Sequence, residues 1–143
     1  GLDLTRTYHT LAPEKMEDGS LRLVATPGAR TRFDSGEIVR CKIQIRTSRV
    51  FQFVMVEAPT PANFRVAESE YLDQWNWWFS GMSILDDKVV FFARYLDPGV
   101  HVIEYTLRAE APGKACALPA LAYEMYAPDS RGSCAEDRLE VAP

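Results

Sequence analysis

The chain has 143 residues, of which 47% are hydrophobic and 25% are charged, the composition of an ordinary globular protein and not of a disordered or collagen-like chain. The 16 basic and 20 acidic residues leave a net charge of −4. Nucleic acid is therefore not expected as a partner, because domains that bind it are usually basic. Domains cluster at about 100–150 residues, so residues 1–143 are expected to form a single domain.

The beginning of the chain carries no recognisable targeting signal. It opens Gly1-Leu2-Asp3, without an initiator Met or an apolar leader, and we expect it to be a piece cut from a larger protein. The sequence has no run of about 18 apolar residues, which a membrane-spanning helix would need. If the chain is a piece of a larger protein, the function belongs to that parent protein more than to this piece.

Alternation of apolar and polar residues dominates the chain and predicts β-strands. The clearest case is 39–45, where Val39, Cys41 and Ile43 share one face and basic residues share the other. Short strands separated by Pro/Gly turns are typical of an antiparallel β-sandwich or barrel, and only 67–77 is ambiguous with a helix. The other predicted strands are Leu4–Leu11 and Leu21–Ala25 (a hairpin around Asp18-Gly19), Val50–Glu57, Lys88–Tyr95, Val100–Ala109, Ala115–Leu118, Leu121–Tyr126 and Arg138–Val141.

No catalytic motif is present, so the protein is not expected to be an enzyme, and neither a metal nor a cofactor is expected. The sequence lacks a nucleophile elbow, a phosphate loop and a dinucleotide fingerprint. Its two histidines are His9 and His101, and His101 shares a strand face with Ile103 and Tyr105, which favours a core or interface position. Asp86-Asp87 is predicted to be a turn, because no further acidic ligands follow at calcium-loop spacing.

Two surface features leave alternatives open. Trp75, Trp77 and Trp78 could form a flat platform for a carbohydrate or an adhesive contact, or they could close the core or an interdomain contact. The basic stripe of Arg40, Lys42, Arg46 and Arg49 favours a solvated strand face that prevents edge-to-edge pairing. It lacks the interleaved aromatic residues that single-stranded nucleic acid would require.

The sequence resembles a known family along nearly all of its length. The opening Thr5-Arg6-Thr7-Tyr8, the strand entry Ser35-Gly36-Glu37-Ile38-Val39 and the turn Glu57–Phe64 resemble the front half of the C-terminal (tenth) macroglobulin domain, MG10, of bacterial alpha-2-macroglobulins. The back half is similar through ordered motifs, which are Asp86–Phe92, Leu96–His101, Ala111-Pro112-Gly113 and Glu124-Met125-Tyr126-Ala127-Pro128.

The resemblance implies an immunoglobulin-like β-sandwich within a large periplasmic protease inhibitor, which is often a lipid-anchored inner-membrane protein. In that family a thioester captures the attacking protease covalently, and its C-x-E-Q motif is absent from this chain. The implied partners are the thioester domain of the parent, target proteases through the parent, and a cell-wall synthase. Met125 and Tyr126 occupy the family's Met-Tyr pair and are expected to help shield the thioester from water. The alternative is a strand end at which Tyr126 caps the core.

The three cysteines, Cys41, Cys116 and Cys134, lack the C-x-x-C spacing of a zinc site. One disulfide with one free thiol and a fully reduced set are both compatible with the sequence alone. The parity of the strands lets Cys116 and Cys134 face outward together, and a bridge between them would suit the oxidising periplasm that the resemblance implies. Cys41 is expected to be a buried free thiol.

Overall fold

The computed structural model describes residues 2–67 and 81–143. The proposed platform of Trp75, Trp77 and Trp78 and almost all of the helix-ambiguous segment lie outside the described residues. Thirteen strands are described, and no helix long and apolar enough to cross a membrane is found among these residues. The strands are β1 Leu2–Lys15, β2 Leu21–Ala25, β3 Arg32–Asp34, β4 Ile38–Thr47, β5 Phe51–Pro59, β6 Phe64–Val66, β7 Gly81–Ile84, β8 Lys88–Leu96, β9 Gly99–Ala109, β10 Gly113–Ala117, β11 Leu121–Glu124, β12 Ala127–Ser133 and β13 Asp137–Ala142.

The described strands form two five-stranded sheets and one three-stranded sheet. Sheet 1 has the order β2-β1-β4-β9-β6, sheet 2 the order β12-β11-β5-β8-β7, and sheet 3 the order β10-β13-β3. Every described pairing is antiparallel except that of β13 with β3. The fold is an all-β antiparallel sandwich, as the sequence predicts.

The core lies between sheets 1 and 2 and follows from the alternation. Val39, Cys41 and Ile43 of β4 are completely buried, because side chains on a strand point alternately to opposite faces of the sheet. Phe91 of sheet 2 contacts Tyr105 of sheet 1 with 5.8 Å between ring centroids. Each such side chain contributes about 1.5–3 kcal/mol by leaving water, so the shared core holds the two sheets together.

The edges of sheets 1 and 2 approach closely where β12 passes β1. A Cβ atom on Gly132 would lie far inside van der Waals contact with the carbonyl oxygen of Leu2. Only glycine therefore fits at this point, because the backbone of another strand occupies the space of a side chain. β12 is kept in place partly by this contact with β1.

Sheet 1 also carries a buried charge on its inner face. The guanidinium of Arg6 is fully buried and donates from Nε to Asp137 Oδ2 at 2.9 Å and from an Nη atom to the carbonyl oxygen of Ala117 at 3.1 Å. The charge is tolerated because a carboxylate and a carbonyl replace part of the water that burial removes. Through these two contacts Arg6 connects sheet 1 to sheet 3.

The alternation predicts the long strands well and the short ones poorly. β3, β6, β7 and β12 are not among the predicted strands. Three-residue strands such as β3 have too few positions to show a period, and β12 is rich in Pro, Asp, Ser and Gly, which usually indicate turns. Conversely, the predicted strand Leu121–Tyr126 ends at Glu124, and Met125 and Tyr126 form the turn that follows.

Candidate functional site

The Met-Tyr pair lies in the turn between β11 and β12, which we call the Met-Tyr turn (Met125–Tyr126). β11 ends at Glu124, and the pairing of β11 with β12 shifts register between Tyr123 and Glu124. Met125 is 41% exposed and Tyr126 is 79% exposed. A contiguous apolar patch marks an interaction site far better than one exposed side chain does. The residues around the turn therefore determine whether it belongs to such a site.

Phe53 of β5 contacts both residues of the Met-Tyr turn. Its carbonyl oxygen accepts a hydrogen bond from the Met125 amide at 2.8 Å, and its ring meets the Tyr126 ring edge-on with 5.2 Å between centroids. Among the described non-glycine residues, Phe53 alone has a positive φ, at 52°. This conformation costs about 1–2 kcal/mol for a residue with a side chain, and such strain is often found at functional sites.

A matching irregularity in β5 and β8 builds a groove beside the Met-Tyr turn. Two successive side chains face outward in each strand, Gln52 and Phe53 in β5 and Arg94 and Tyr95 in β8. Side chains of a regular strand alternate between faces, so both strands reverse their alternation at the same level while keeping one register. With Met55, Phe92 and the Met-Tyr turn, these four side chains line an open groove of about 600 Å³.

Glu124 fixes the other side of the Met-Tyr turn. Its carboxylate accepts hydrogen bonds from the Gln52 amide and the Arg49 guanidinium, each at 2.9 Å. Arg49 also donates to Ser130 Oγ at 2.6 Å and lies 3.8 Å from the centroid of the Phe51 ring. The Gln52 amide, followed by Arg49 and Ser130, lowers the pKa of Glu124 below its ordinary value, because these donors stabilise the charged form.

The apolar surface continues from the groove across the centre of sheet 2. Five large side chains point outward from β5, β8 and β11 and are only half-exposed. They are Met55, Val90, Phe92, Leu121 and Tyr123. The outer face of a sandwich sheet is ordinarily polar, so this face, which we call the apolar outer face, is suited to covering by another surface.

The predicted basic stripe is smaller than expected. Arg40, Lys42 and Arg46 lie on the outward face of β4, as the alternation requires. Arg49 does not continue the stripe: β4 ends at Thr47, the regular alternation stops there, and the guanidinium turns towards Glu124 of sheet 2. Arg49 therefore belongs to the support of the Met-Tyr turn.

All three cysteines are free. Cys41 is completely buried, as predicted, and burial raises the pKa of its thiol to about 12. The predicted Cys116–Cys134 bridge is not formed. Cys116 is exposed on β10 opposite Arg138, whereas Cys134 packs against the core and its Sγ accepts a hydrogen bond from the Ala120 amide at 3.2 Å. The parity argument fails because Cys134 follows the end of β12, where alternation no longer sets the direction of a side chain.

The other polar residues considered as possible site residues, His101, Asp86 and Asp87, lie at structural positions. His101 is half-buried on β9, and its Nε2 lies 2.7 Å from the carbonyl oxygen of Asp97. Asp86 and Asp87 form the turn of the β7–β8 hairpin, as predicted. Within residues 2–67 and 81–143, no group of three or more His, Cys, Asp or Glu side chains could hold a metal ion.

A family model described as the bacterial alpha-2-macroglobulin MG10 domain matches residues 1–129. The chain belongs to this family. The match confirms the resemblance that its motifs suggested and makes the chain a macroglobulin domain of a protease-inhibitor family.

Neither Phe53 nor the groove was found from the sequence. The sequence does carry a signal of this irregularity. Phe51 and Phe53 occupy odd-numbered positions, whereas the buried Val54 and Val56 occupy even-numbered ones, so one regular alternation cannot bury both pairs.

Individual relatives agree with the family match. The alpha-2-macroglobulin of Thermotoga maritima is 31% identical over 121 residues, which cover 77% of this chain and 8% of that protein. An alpha-2-macroglobulin homolog of a Nostoc species is 25% identical over 116 residues, covering 74% and 6%. The crystal structure of Salmonella alpha-2-macroglobulin reacted with methylamine matches with a TM-score of 0.75 and 21% identity, covering 99% of this chain and 9% of that one, which shows a shared fold. The chain thus spans less than a tenth of the length of these relatives.

Proposed function

We propose that the chain is the non-catalytic C-terminal macroglobulin domain of a bacterial alpha-2-macroglobulin-type protease inhibitor. In this proposal it packs against the thioester-bearing domain of its parent, and the Met-Tyr turn shields the thioester. The observation that carries the proposal is that the family's Met-Tyr pair lies, highly exposed, beside an apolar groove and an apolar outer face. A thioester persists only where water and amines are excluded.

The chemistry of the turn and its surroundings supports such a contact. Met and aromatic residues are enriched at protein interfaces, and a Met side chain adapts its shape to a partner surface. A domain that covered Met55, Phe92 and Leu121 together with the turn would gain about 25 cal/mol for each Å² of apolar surface removed from water. The apolar outer face would then be the docking surface and the Met-Tyr turn the shield at its edge.

The proposal assigns no bond-making step to this domain. The chain lacks the C-x-E-Q motif of the thioester, so the reactive group would lie elsewhere in the parent. The solved Salmonella relative is described as reacted with methylamine, an amine nucleophile of the kind that opens a thioester. The role left for this domain is to bind and to exclude water.

The test uses the parent protein with the substitution pair Met125→Ala and Tyr126→Ala. Tyr is enriched among interface hot spots, whose truncation costs about 2 kcal/mol or more; with a loss of that size the thioester should react with methylamine about 30-fold faster. Leu21→Ala on the β1–β2 hairpin is the matched control, because Leu21 is also highly exposed, at 75%. An unchanged rate in the double variant, or a parent without a thioester, would overturn the shielding role.

We further propose that the parent is periplasmic and attached to the inner membrane by a lipid. The support is the family assignment alone, since bacterial alpha-2-macroglobulins are expected to meet proteases that enter the periplasm. Cell fractionation of the full-length protein, with labelled fatty acid as a probe of lipidation, tests this. Recovery of the protein in the cytoplasmic fraction would refute it.

A further inference from the structure

Phe53 contacts the Met-Tyr turn in two independent ways. The backbone of Phe53 accepts the amide of Met125, and its ring packs on the ring of Tyr126. The contacts therefore reach one residue of the turn through the main chain and the other through the side chain. The backbone hydrogen bond continues the pairing of β5 with β11, in which Glu124 lies opposite Val54, so the contact that depends on the phenylalanine side chain is the ring packing on Tyr126.

The strained backbone lies where β5 reverses its alternation. Phe51 faces inward and is 1% exposed, whereas Phe53, two residues later, faces outward with Met55 and is 39% exposed in the groove. The left-handed φ of 52° at Phe53 falls between the inward Phe51 and the inward Val54. Glycine adopts such a φ without steric cost, so a phenylalanine at this position indicates that the ring itself is needed.

The surroundings hold this conformation in place. On one side, the backbone N–H of Gln52, the residue before Phe53, donates a hydrogen bond to the Glu124 carboxylate at 2.9 Å. On the other side Val54 is completely buried and paired with Ala93 of β8. Because both neighbours are fixed, the left-handed residue between them cannot relax without breaking one of these contacts.

On the basis of the proposed function, we infer that Phe53 is a positioning residue that holds Met125 and Tyr126 in the thioester-covering conformation before the domains dock. Holding a contact loop in its bound conformation reduces the entropy lost on association. Phe53 itself does not touch the thioester in this scheme. Its effect on shielding passes through the ring of Tyr126 and the amide of Met125.

The first arm of the test uses the 143-residue chain and does not depend on the parent. Phe53→Leu removes the ring contact and should speed hydrogen exchange of the Met125 amide about two- to twelvefold, which corresponds to the 0.5–1.5 kcal/mol typical of an aromatic pair. The NMR shifts of the Tyr126 ring should move towards those of a free tyrosine. Phe53→Tyr keeps the ring and should restore both readouts, and Leu118→Ala, at a distant exposed position, is the control for surface substitution.

The second arm measures the rate of methylamine incorporation in the thioester-bearing parent. Phe53→Leu should raise this rate by a similar factor, Phe53→Tyr should not, and Tyr126→Ala should raise it at least as much as Phe53→Leu. If Tyr126→Ala accelerates the reaction and Phe53→Leu does not, the positioning role is wrong and the shielding proposal stands.

Two other outcomes are equally decisive. Suppose that neither Tyr126→Ala nor Phe53→Leu alters the rate of methylamine incorporation, while Phe53→Leu speeds hydrogen exchange of the Met125 amide as expected. The shielding proposal then fails, and Phe53 positions the Met-Tyr turn for a function other than shielding. If the Met125 amide and the Tyr126 ring are indifferent to Phe53→Leu, the positioning role is overturned without reference to the parent.

Discussion

Sheets 1 and 2 share one core but differ in their outer faces. On the outer face of sheet 1 the register places charged side chains opposite each other, such as Asp3 and Arg46. On the outer face of sheet 2 the same geometry places Met55 between Phe92 and Tyr123. Antiparallel sheets usually keep one face solvated. Sheet 2 departs from that rule at Met55, Phe92 and Tyr123, although Glu57 and Lys88 form an ion pair on the same outer face.

This difference teaches that alternation alone does not distinguish a solvated strand face from a docking face. Both sheets alternate in burial along their central strands, because that pattern reports only the shared core. What distinguishes sheet 2 is the chemistry of its outward residues together with the reversed alternation at Phe53 and Tyr95. The experiments below test the comparison, beginning with the largest expected effect.

Substitutions on the inner faces should be costly in both sheets. Ile43→Ala in sheet 1 should lower the free energy of unfolding by about 2–5 kcal/mol and Phe91→Ala in sheet 2 by about 3–5 kcal/mol, because both side chains are at most 1% exposed and leave a cavity. Urea denaturation of the chain measures this. Lys42→Ala, the outward neighbour of Ile43, is the control and should change stability by about 0.5 kcal/mol or less. A cost no larger than the control in either sheet would contradict a shared core.

The buried charge on the inner face of sheet 1 should be the next most sensitive point. Asp137→Asn should cost about 3 kcal/mol, because it leaves the fully buried Arg6 guanidinium without its carboxylate. The exposed pair of Arg32 and Glu140, 3.7 Å apart, provides the comparison, and Glu140→Gln should cost about 1 kcal/mol or less. Equal costs in thermal or urea unfolding would mean that the Arg6 charge is solvated in the folded chain.

The outer faces should differ in the binding of an apolar fluorescent dye. Met55→Ser should reduce dye fluorescence because it interrupts the apolar outer face, and it should change stability by about 1 kcal/mol or less. Gln44→Ser, at an outward half-exposed position of β4 in sheet 1, is the matched control and should leave the fluorescence unchanged. Equal responses of the two variants would remove the proposed distinction between the faces.

The smallest expected effect concerns the carboxylate beside the Met-Tyr turn. The pKa of Glu124 lies below the ordinary 4.5, so its ionised form stabilises the folded state at neutral pH. That contribution persists above pH 4.5 and is lost as the pH falls through the lower pKa of the folded state. Glu124→Gln should therefore be less stable than the native chain at neutral pH and equally stable in strong acid, as measured by urea denaturation. A difference that persists in acid would place the effect in packing instead of charge.

Much of the fold could be read from the chain because alternation is a local property. The spacing of Val39 to Ile45 predicts the buried residues of β4, and that of Ile103 to Leu107 predicts those of β9 except Thr106, which is buried on the opposite parity. The short strands could not be read in this way, since β3, β6 and β7 contain three or four residues each. Such strands exist because a longer neighbour offers hydrogen-bonding groups, and that neighbour is distant in sequence.

The candidate site likewise has parts that the sequence predicts and parts that only the structure shows. The sequence by itself determined the family, the antiparallel sandwich and the identity of the Met125–Tyr126 pair, because these depend on residue types at fixed spacing. Only the tertiary structure decided that Phe53 turns outward, that Arg49 joins Glu124 and that Cys134 points towards the core. The physical reason is that a strained φ, an ion pair between strands and a side-chain direction beyond a strand end are set by partners that the local sequence does not contain.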